Sequence, residues 1–229
     1  MIQDPSFTKD LFKFLADLRR NNNREWFQAN KGRYEQHVKE PALEFVSDFA
    51  PLLDEISSHF RADPRPVGGS LFRIYRDVRF SKDKSPYKTQ VGIHFRHGLG
   101  KDAHAPSFYL HLEPGQSFAG VGIWRPDSAT LGKIRSEIAA NPEDWLSATR
   151  EPPFAAVFEL GGESLKRAPT GYDANHPLIE DLKRKDFVGY AMIDEKTVTG
   201  KGFLDEYAGM CRSATPFVEF LCRAVGAPF

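Results

Sequence analysis

Six basic residues, Arg73, Arg76, Arg79, Lys82, Lys84 and Lys88, fall within sixteen positions, together with Asp77, Asp83, Tyr75 and Tyr87. Guanidinium groups grip phosphate or carboxylate through paired hydrogen bonds, lysine adds a point charge and a tyrosine hydroxyl adds a donor. The chemistry such a stretch offers is anion binding by Arg73, Arg76, Arg79, Lys84 and Tyr87. Asp77 would orient an arginine or handle a proton. The competing reading is a solvated strand and loop whose salt bridges close on themselves. A strand running on through Val78 would put Phe72, Ile74, Arg76, Val78 and Phe80 on one face. An arginine in that apolar row needs a carboxylate or several carbonyls. Either the strand ends near Tyr75, or Arg76 is held in a buried pair.

Secondary candidates lie further along. Tyr109, His111 and Glu113 are spaced by two, so on a strand they project to one side. Tyr109 would join the anion-binding set, and His111 and Glu113 would serve as acid or base. With His94 they resemble a metal set of two histidines and a carboxylate, but site-lining histidines are the better reading, and no metal is expected. Lys166, Arg167, Tyr172, Asp173 and His176 form another polar cluster. Arg167 would complete the anion site if that loop folded over the first, whereas a helix cap before Pro177 is the plainer account. Gly120 and Gly122 would leave one strand face bare, admitting a ligand or a closely packed helix. Gly98 and Gly100 lack the strand-to-helix context of a nucleotide loop, and no nucleophile elbow or Walker sequence occurs, so no cofactor is expected.

The elements that must position these residues change period along the chain. Leu11, Phe12, Phe14, Leu15 and Leu18 follow helical spacing after Ser6 and Thr8, and Arg24–Phe27 starts a second helix. Residues 34–60 read as a long helix, with Pro41 and Pro51 as starts or kinks. Strands are predicted at 71–75, 91–95, 108–112 and 117–124. Val91, Ile93 and Phe95, and likewise Phe108, Leu110 and Leu112, would face one side; His94, Arg96, Tyr109, His111 and Glu113 would face the other. Alternation of this kind implies an antiparallel sheet with one covered and one polar face. Helices return at 127–140 and from Asn141 onward. A short helix is expected over 154–160, another from His176 through Arg184, a strand over 187–193, and a closing helix over 203–225 interrupted at Pro216.

The predicted class is therefore α+β, with a central, mainly antiparallel sheet of four to six strands flanked by N-terminal and C-terminal helices. One domain over 1–229 is expected: a helical part at 6–62, the sheet at 70–125 and a mixed part at 127–226. The composition is ordinary for a globular chain, at 41% hydrophobic and 27% charged. A chain this long buries roughly 70–75% of its unfolded surface without a staple. Lys plus Arg and Asp plus Glu both number 31, which argues against a general nucleic-acid binder. Cys211 and Cys222, read as sharing one helix, would lie roughly 16 Å apart, beyond the roughly 7 Å a disulfide allows. Reduced thiols suit a cytoplasmic protein, and thiols amid apolar helix residues are inert. Met1–Pro5 shows no basic segment followed by an apolar run, so no secretory leader is expected, and no apolar stretch suits a membrane span.

Arg-x-x-Arg-Asp-x-Arg-Phe-x-x-Asp-Lys-x-x-Tyr, carried by Arg73, Arg76, Asp77, Arg79, Phe80, Asp83, Lys84 and Tyr87, resembles the signature of the bacterial domain-of-unknown-function 2461 family. The resemblance extends to Trp26, Phe27, Asn30, Lys31 and Tyr34, to Tyr109–Gly115, and to Leu165, Lys166 and Arg167 followed by Gly171, Tyr172, His176 and Pro177. It implies a single-domain protein of about this length and no particular activity. The resulting expectation is a site for a phosphate or carboxylate on a small molecule, in an enzyme or a binding protein. A non-catalytic adaptor for an acidic protein or nucleic acid, and a purely structural ion-pair network, are the alternatives. Monomer and homodimer are both left open.

Overall fold

The computed structural model describes residues 5–100 and 104–229. Met1–Asp4, read above for a leader, lie outside it. The chain is α+β, built on one six-stranded antiparallel sheet of order β1-β2-β3-β4-β6-β5. The strands are β1 (Phe60–Arg61), β2 (Val91–His97), β3 (Ser107–Leu112), β4 (Phe118–Ile123), β5 (Glu159–Gly161) and β6 (Phe187–Met192). The middle of the sheet is a meander, with Ile93 opposite Leu110 and Leu110 opposite Ala119.

Four helical segments precede β1 or lead into it: α1 (Lys9–Arg20), α2 (Arg24–Ala29), α3 (Lys31–Tyr34) and α4 (Glu40–Ile56). Asn23 caps α2 by accepting from the Trp26 amide. A π turn over Glu35–Lys39 joins α3 to α4 without leaving helical backbone, and Pro41 lies in the first turn of α4. Pro51 lies inside α4 without ending it. After β4 come α5 (Ser128–Ala140), α6 (Pro142–Arg150), α7 (Ile179–Leu182), α8 (Glu195–Val198), α9 (Phe203–Ser213) and α10 (Thr215–Val225).

The period-two pattern decides which sheet face is covered. Ile93, Phe95, Leu110, Leu112 and Val121 are buried against α4, α9 and α10. Aromatic rings fill that layer: Phe49 lies 4.7 Å from Phe95, and Phe154 lies 4.8 Å from Phe217. His94, Arg96, Tyr109, His111, Phe118 and Tyr190 point to the opposite face, which no helix covers among the described residues.

Three expectations need correction. Leu71–Tyr75 is not a regular strand. Ser70–Phe72 runs beside β2, with a Leu71–Ile93 bridge; Ile74–Arg76 then changes partner and pairs with 86–88 through a Tyr75–Tyr87 bridge. The ladder breaks because the chain leaves the sheet edge to form an arm. Residues 154–160 are a turn followed by β5, not a helix. Phe154 and Phe158 have helical spacing, but both are buried side by side with rings 5.4 Å apart, and Glu159–Gly161 joins the sheet edge beside β6. The closing helix is two helices, with Ala214 between α9 and α10 and Pro216 in the first turn of α10. The two cysteines are thus on different helices, free and buried. Burial pushes both thiols up to about 12.

Candidate functional site

The arginine-rich stretch forms the arm. Its base is fixed by backbone bonds from Arg76 N to Pro86 O and from Lys88 N to Ile74 O. The Asn22 side chain clamps the Tyr87 backbone, donating to its carbonyl at 2.9 Å and accepting from its amide at 3.1 Å. The Tyr87 ring is buried, stacked on Phe27 with centroids 4.1 Å apart. Tyr87 therefore anchors the arm to the N-terminal helices.

Within the arm the charges partly neutralise one another. Arg76 pairs with Asp83, whose carboxylate also accepts from the Ser85 amide and hydroxyl. Those bonds, Ser85 first and Arg76 next, hold Asp83 well below the usual carboxylate range. Arg79 grips Asp77 through two nitrogens and holds it down at about 2. Lys84 donates to the Val78 carbonyl at 3.0 Å. Phe80 is 96% exposed at the tip.

The open sheet face carries a cavity of about 690 Å³. Its floor is β2, β3, β4 and β6, contributing His94, Arg96, Tyr109, Phe118, Gly120 and Tyr190. Phe72, Gly100, His104, Ala105 and Trp124 also border it. Gly92 is what lets two of these rings lie flat. A Cβ there would come within 2.7 Å of the Tyr109 hydroxyl and 3.0 Å of the Phe72 ring. Gly120 lies between the Phe118 and Tyr109 rings, where a Cβ would touch both at 3.5 Å without a clash.

Two basic groups flank Phe72, and a third, Arg73, lies near enough to Lys88 for its charge to act there. The Lys88 ammonium lies 5.5 Å from its ring centroid and the Arg96 guanidinium 5.9 Å. Arg73 is next in the chain, and its carbonyl accepts from Lys88 Nζ at 2.6 Å. Among the described residues none of the three has a carboxylate partner. Burial first, and the Arg73 charge second, push Lys88 down from the ordinary lysine value. Arg96 Nε donates to His94 Nδ1 at 2.9 Å. Burial pushes His94 down to about 4, with the Arg96 charge as the lesser cause, so the imidazole is neutral at pH 7.

Tyr109, His111 and Glu113 lie in a line on the same face. The Tyr109 hydroxyl is 3.1 Å from His111 Nδ1, and His111 Nε2 is 3.1 Å from Glu113 Oε2. Arg19, from α1, pairs with the other Glu113 oxygen. Burial, assisted by the Glu113 charge, pushes Tyr109 up to about 12. Among the described residues no group of three or more His, Cys, Asp or Glu side chains is arranged to hold a metal ion.

The sequence-predicted residues thus divide into three places. Arg73 stands at the basic corner, and Tyr109, His111 and Glu113 lie on the open face. Arg76, Asp77, Arg79 and Lys84 lie along the arm, with Tyr87 buried at its base. Arg167 lines a separate shallow pocket with Arg135 and Lys166. Sequence reasoning placed Arg96 on the open face without making it a site residue, and it passed over Lys88, Phe72, Phe118 and Tyr190 as site members. The alternation that exposed Tyr109 and His111 carried the same signal for Arg96. For Phe118 and Tyr190 the signal needed strand order.

Among the described residues no helix is long and apolar enough to cross a membrane. No curated protein and no solved structure matches the chain. The family model described as "Conserved hypothetical protein (DUF2461)" matches residues 10–220, and the chain belongs to that family.

Proposed function

We propose that the protein binds a small anionic molecule, a carboxylate or phosphate on an apolar or aromatic body, in the cavity on the open sheet face. The observation that carries this reading is the basic corner in which Arg96 lines a cavity walled by rings and shares the Phe72 ring with Lys88, with the Arg73 charge close to Lys88 and no carboxylate paired to any of the three among the described residues. A guanidinium at the edge of an apolar cavity pairs with a carboxylate far more strongly than one in open water. Phe72, Tyr109, Phe118 and Tyr190 would hold the ligand's body. On this reading Arg76, Asp77, Arg79, Lys84 and Tyr87 shape and hold the arm that presents Arg73 and Lys88.

A thermal-shift series with benzoate, larger aryl carboxylates and aryl phosphates tests the reading. A ligand at 100 times its Kd adds about 2.7 kcal/mol to stability. For a chain of this size that raises Tm by roughly 2–4 °C per kcal/mol. Arg96→Met should abolish the shift, and Arg79→Gln should leave it intact. A shift that survives Arg96→Met, or none from any anion in the series, would refute the assignment.

A second reading, an adaptor for an acidic partner, has one observation in its favour. Phe80 stands bare at the arm's tip among Arg79, Lys82 and Lys84. It requires binding that falls steeply with salt and disappears in Phe80→Ser.

A further inference from the structure

Tyr109, His111 and Glu113 do more than line the face. They are consecutive outward positions of β3 and its continuation, and each holds the next. Glu113 is fixed from two sides. Ser117 Oγ bonds both its amide and its carbonyl, at 3.1 Å each, and Arg19 takes one carboxylate oxygen. His111 is stacked on Phe118, with centroids 4.6 Å apart and planes 12° from parallel.

These partners assign the protons. A carboxylate paired with arginine can only accept, so His111 Nε2 carries the hydrogen that it donates to Glu113. Nδ1 then holds a lone pair and accepts from the Tyr109 hydroxyl. The phenol oxygen keeps its own lone pairs, and its ring borders the cavity. The order carboxylate, imidazole, hydroxyl is the arrangement that activates a hydroxyl by giving its proton a destination.

We propose that Tyr109 is the catalytic residue of this cavity, exchanging a proton with a bound anion while His111 takes up the phenolic proton and Glu113 holds the imidazolium. This rests on the small-anion reading of the cavity. In the forward step a ligand proton passes to Tyr109 Oη as the phenolic proton passes to His111 Nδ1. The imidazolium so formed faces the Glu113 carboxylate, and the reverse step restores all three groups. Charge is conserved, and no oxidant or co-reactant is needed. A free tyrosinate is not the agent, since burial favours the neutral phenol; the proton leaves only as the oxygen gains a new bond, to an arriving proton or to an electrophile.

The probe is 4-(fluorosulfonyl)benzoate, whose carboxylate suits the basic corner. Attack by Tyr109 forms an O–S bond and breaks the S–F bond; fluoride leaves and the phenolic proton goes to His111. Tyr190 is the internal control, a second tyrosine in the same cavity with no imidazole partner among the described residues. Peptide mass spectrometry should find Tyr109 modified at least about tenfold faster than Tyr190. His111→Phe keeps a ring on Phe118 and should bring the Tyr109 rate down to that of Tyr190. Glu113→Gln should fall between. Equal rates at the two tyrosines, or an unchanged Tyr109 rate in His111→Phe, overturn the proposal, as does an Nδ1-protonated His111 in 15N NMR of the unmodified protein.

Benzoate titration by calorimetry keeps the two readings apart. Benzoate binding without preferential labelling removes the relay and leaves the cavity reading standing. Labelling of Tyr109 by neutral benzenesulfonyl fluoride that depends on His111, with no benzoate binding, removes the cavity reading and supports the relay.

Discussion

His94 shows what burial does to a single side chain on the open face. Its folded value is pushed down to about 4, while the unfolded chain keeps the ordinary 6.5. Between those values the unfolded chain binds more protons, so acid favours unfolding. The stability that depends on a neutral His94 is full above pH 6.5 and is lost as pH falls toward 4, by about 3 kcal/mol at most. His94→Gln should therefore flatten the decline of urea-unfolding stability between pH 6.5 and 4. An unaltered slope would remove His94 as its source. At this scale the sequence was informative wherever alternation ruled: Tyr109, His111 and Glu113 were legible because positions two apart on a strand share a side. The same alternation put Arg96 on that side but did not show its lack of a carboxylate, because pairing across the fold leaves no mark in local spacing. The sequence named Tyr87 as an anion-binding residue but could not show that its ring stacks on Phe27, sixty positions away, which is a tertiary fact.

The arm is the element in which charge and position separate. Its ion pairs are exposed, and such pairs contribute little to global stability. Their effect is local, because Asp83 alone accepts from Arg76 and from both Ser85 groups. Asp83→Asn should speed tryptic cleavage within 76–84 severalfold while moving Tm by no more than about 1 °C, as expected for a surface change. A Tm drop matching the gain in cleavage would mean that the arm is part of the core's cooperative unit. The pH sense is that of depressed carboxylates. The Asp77 and Asp83 pairs are intact above about 3.8 and loosen as pH falls through their folded values, near 2 for Asp77 and lower for Asp83. The broken ladder at Leu71–Tyr75 belongs here too. Its residues have strand-like composition, and only the change of partner from β2 to 86–88 reveals that the chain has left the sheet. The mistaken helix at 154–160 has a parallel cause, since two phenylalanines four apart fit a helix face and a buried turn equally well.

For the molecule as a whole, the covered sheet face supplies the core and the open face supplies the site. The chain's last residues join the former. His97 accepts from the Leu99 amide at Nδ1, so its Nε2 hydrogen goes to the Pro228 carbonyl at 2.8 Å. Phe229 then packs edge-on to Phe60, with centroids 6.0 Å apart. Phe229→Ala should cost about 1–2 kcal/mol, less than a fully buried aromatic because this ring is only partly covered. The corresponding fall is a few degrees in Tm, with benzoate binding preserved. Loss of binding at unchanged Tm would show that the tail shapes the cavity directly.

The sheet's borders have a consequence of their own. β1 spans two residues and β5 three, and the rest of the β2 margin is occupied by Ser70–Phe72. Unpaired backbone along a sheet margin invites other chains to extend the ladder, and short borders deny them purchase. A protein built this way can leave a broad sheet surface bare to solvent and still resist growing sideways into fibres. Changes to the bare surface can then be accumulated without disturbing solubility or the packed side.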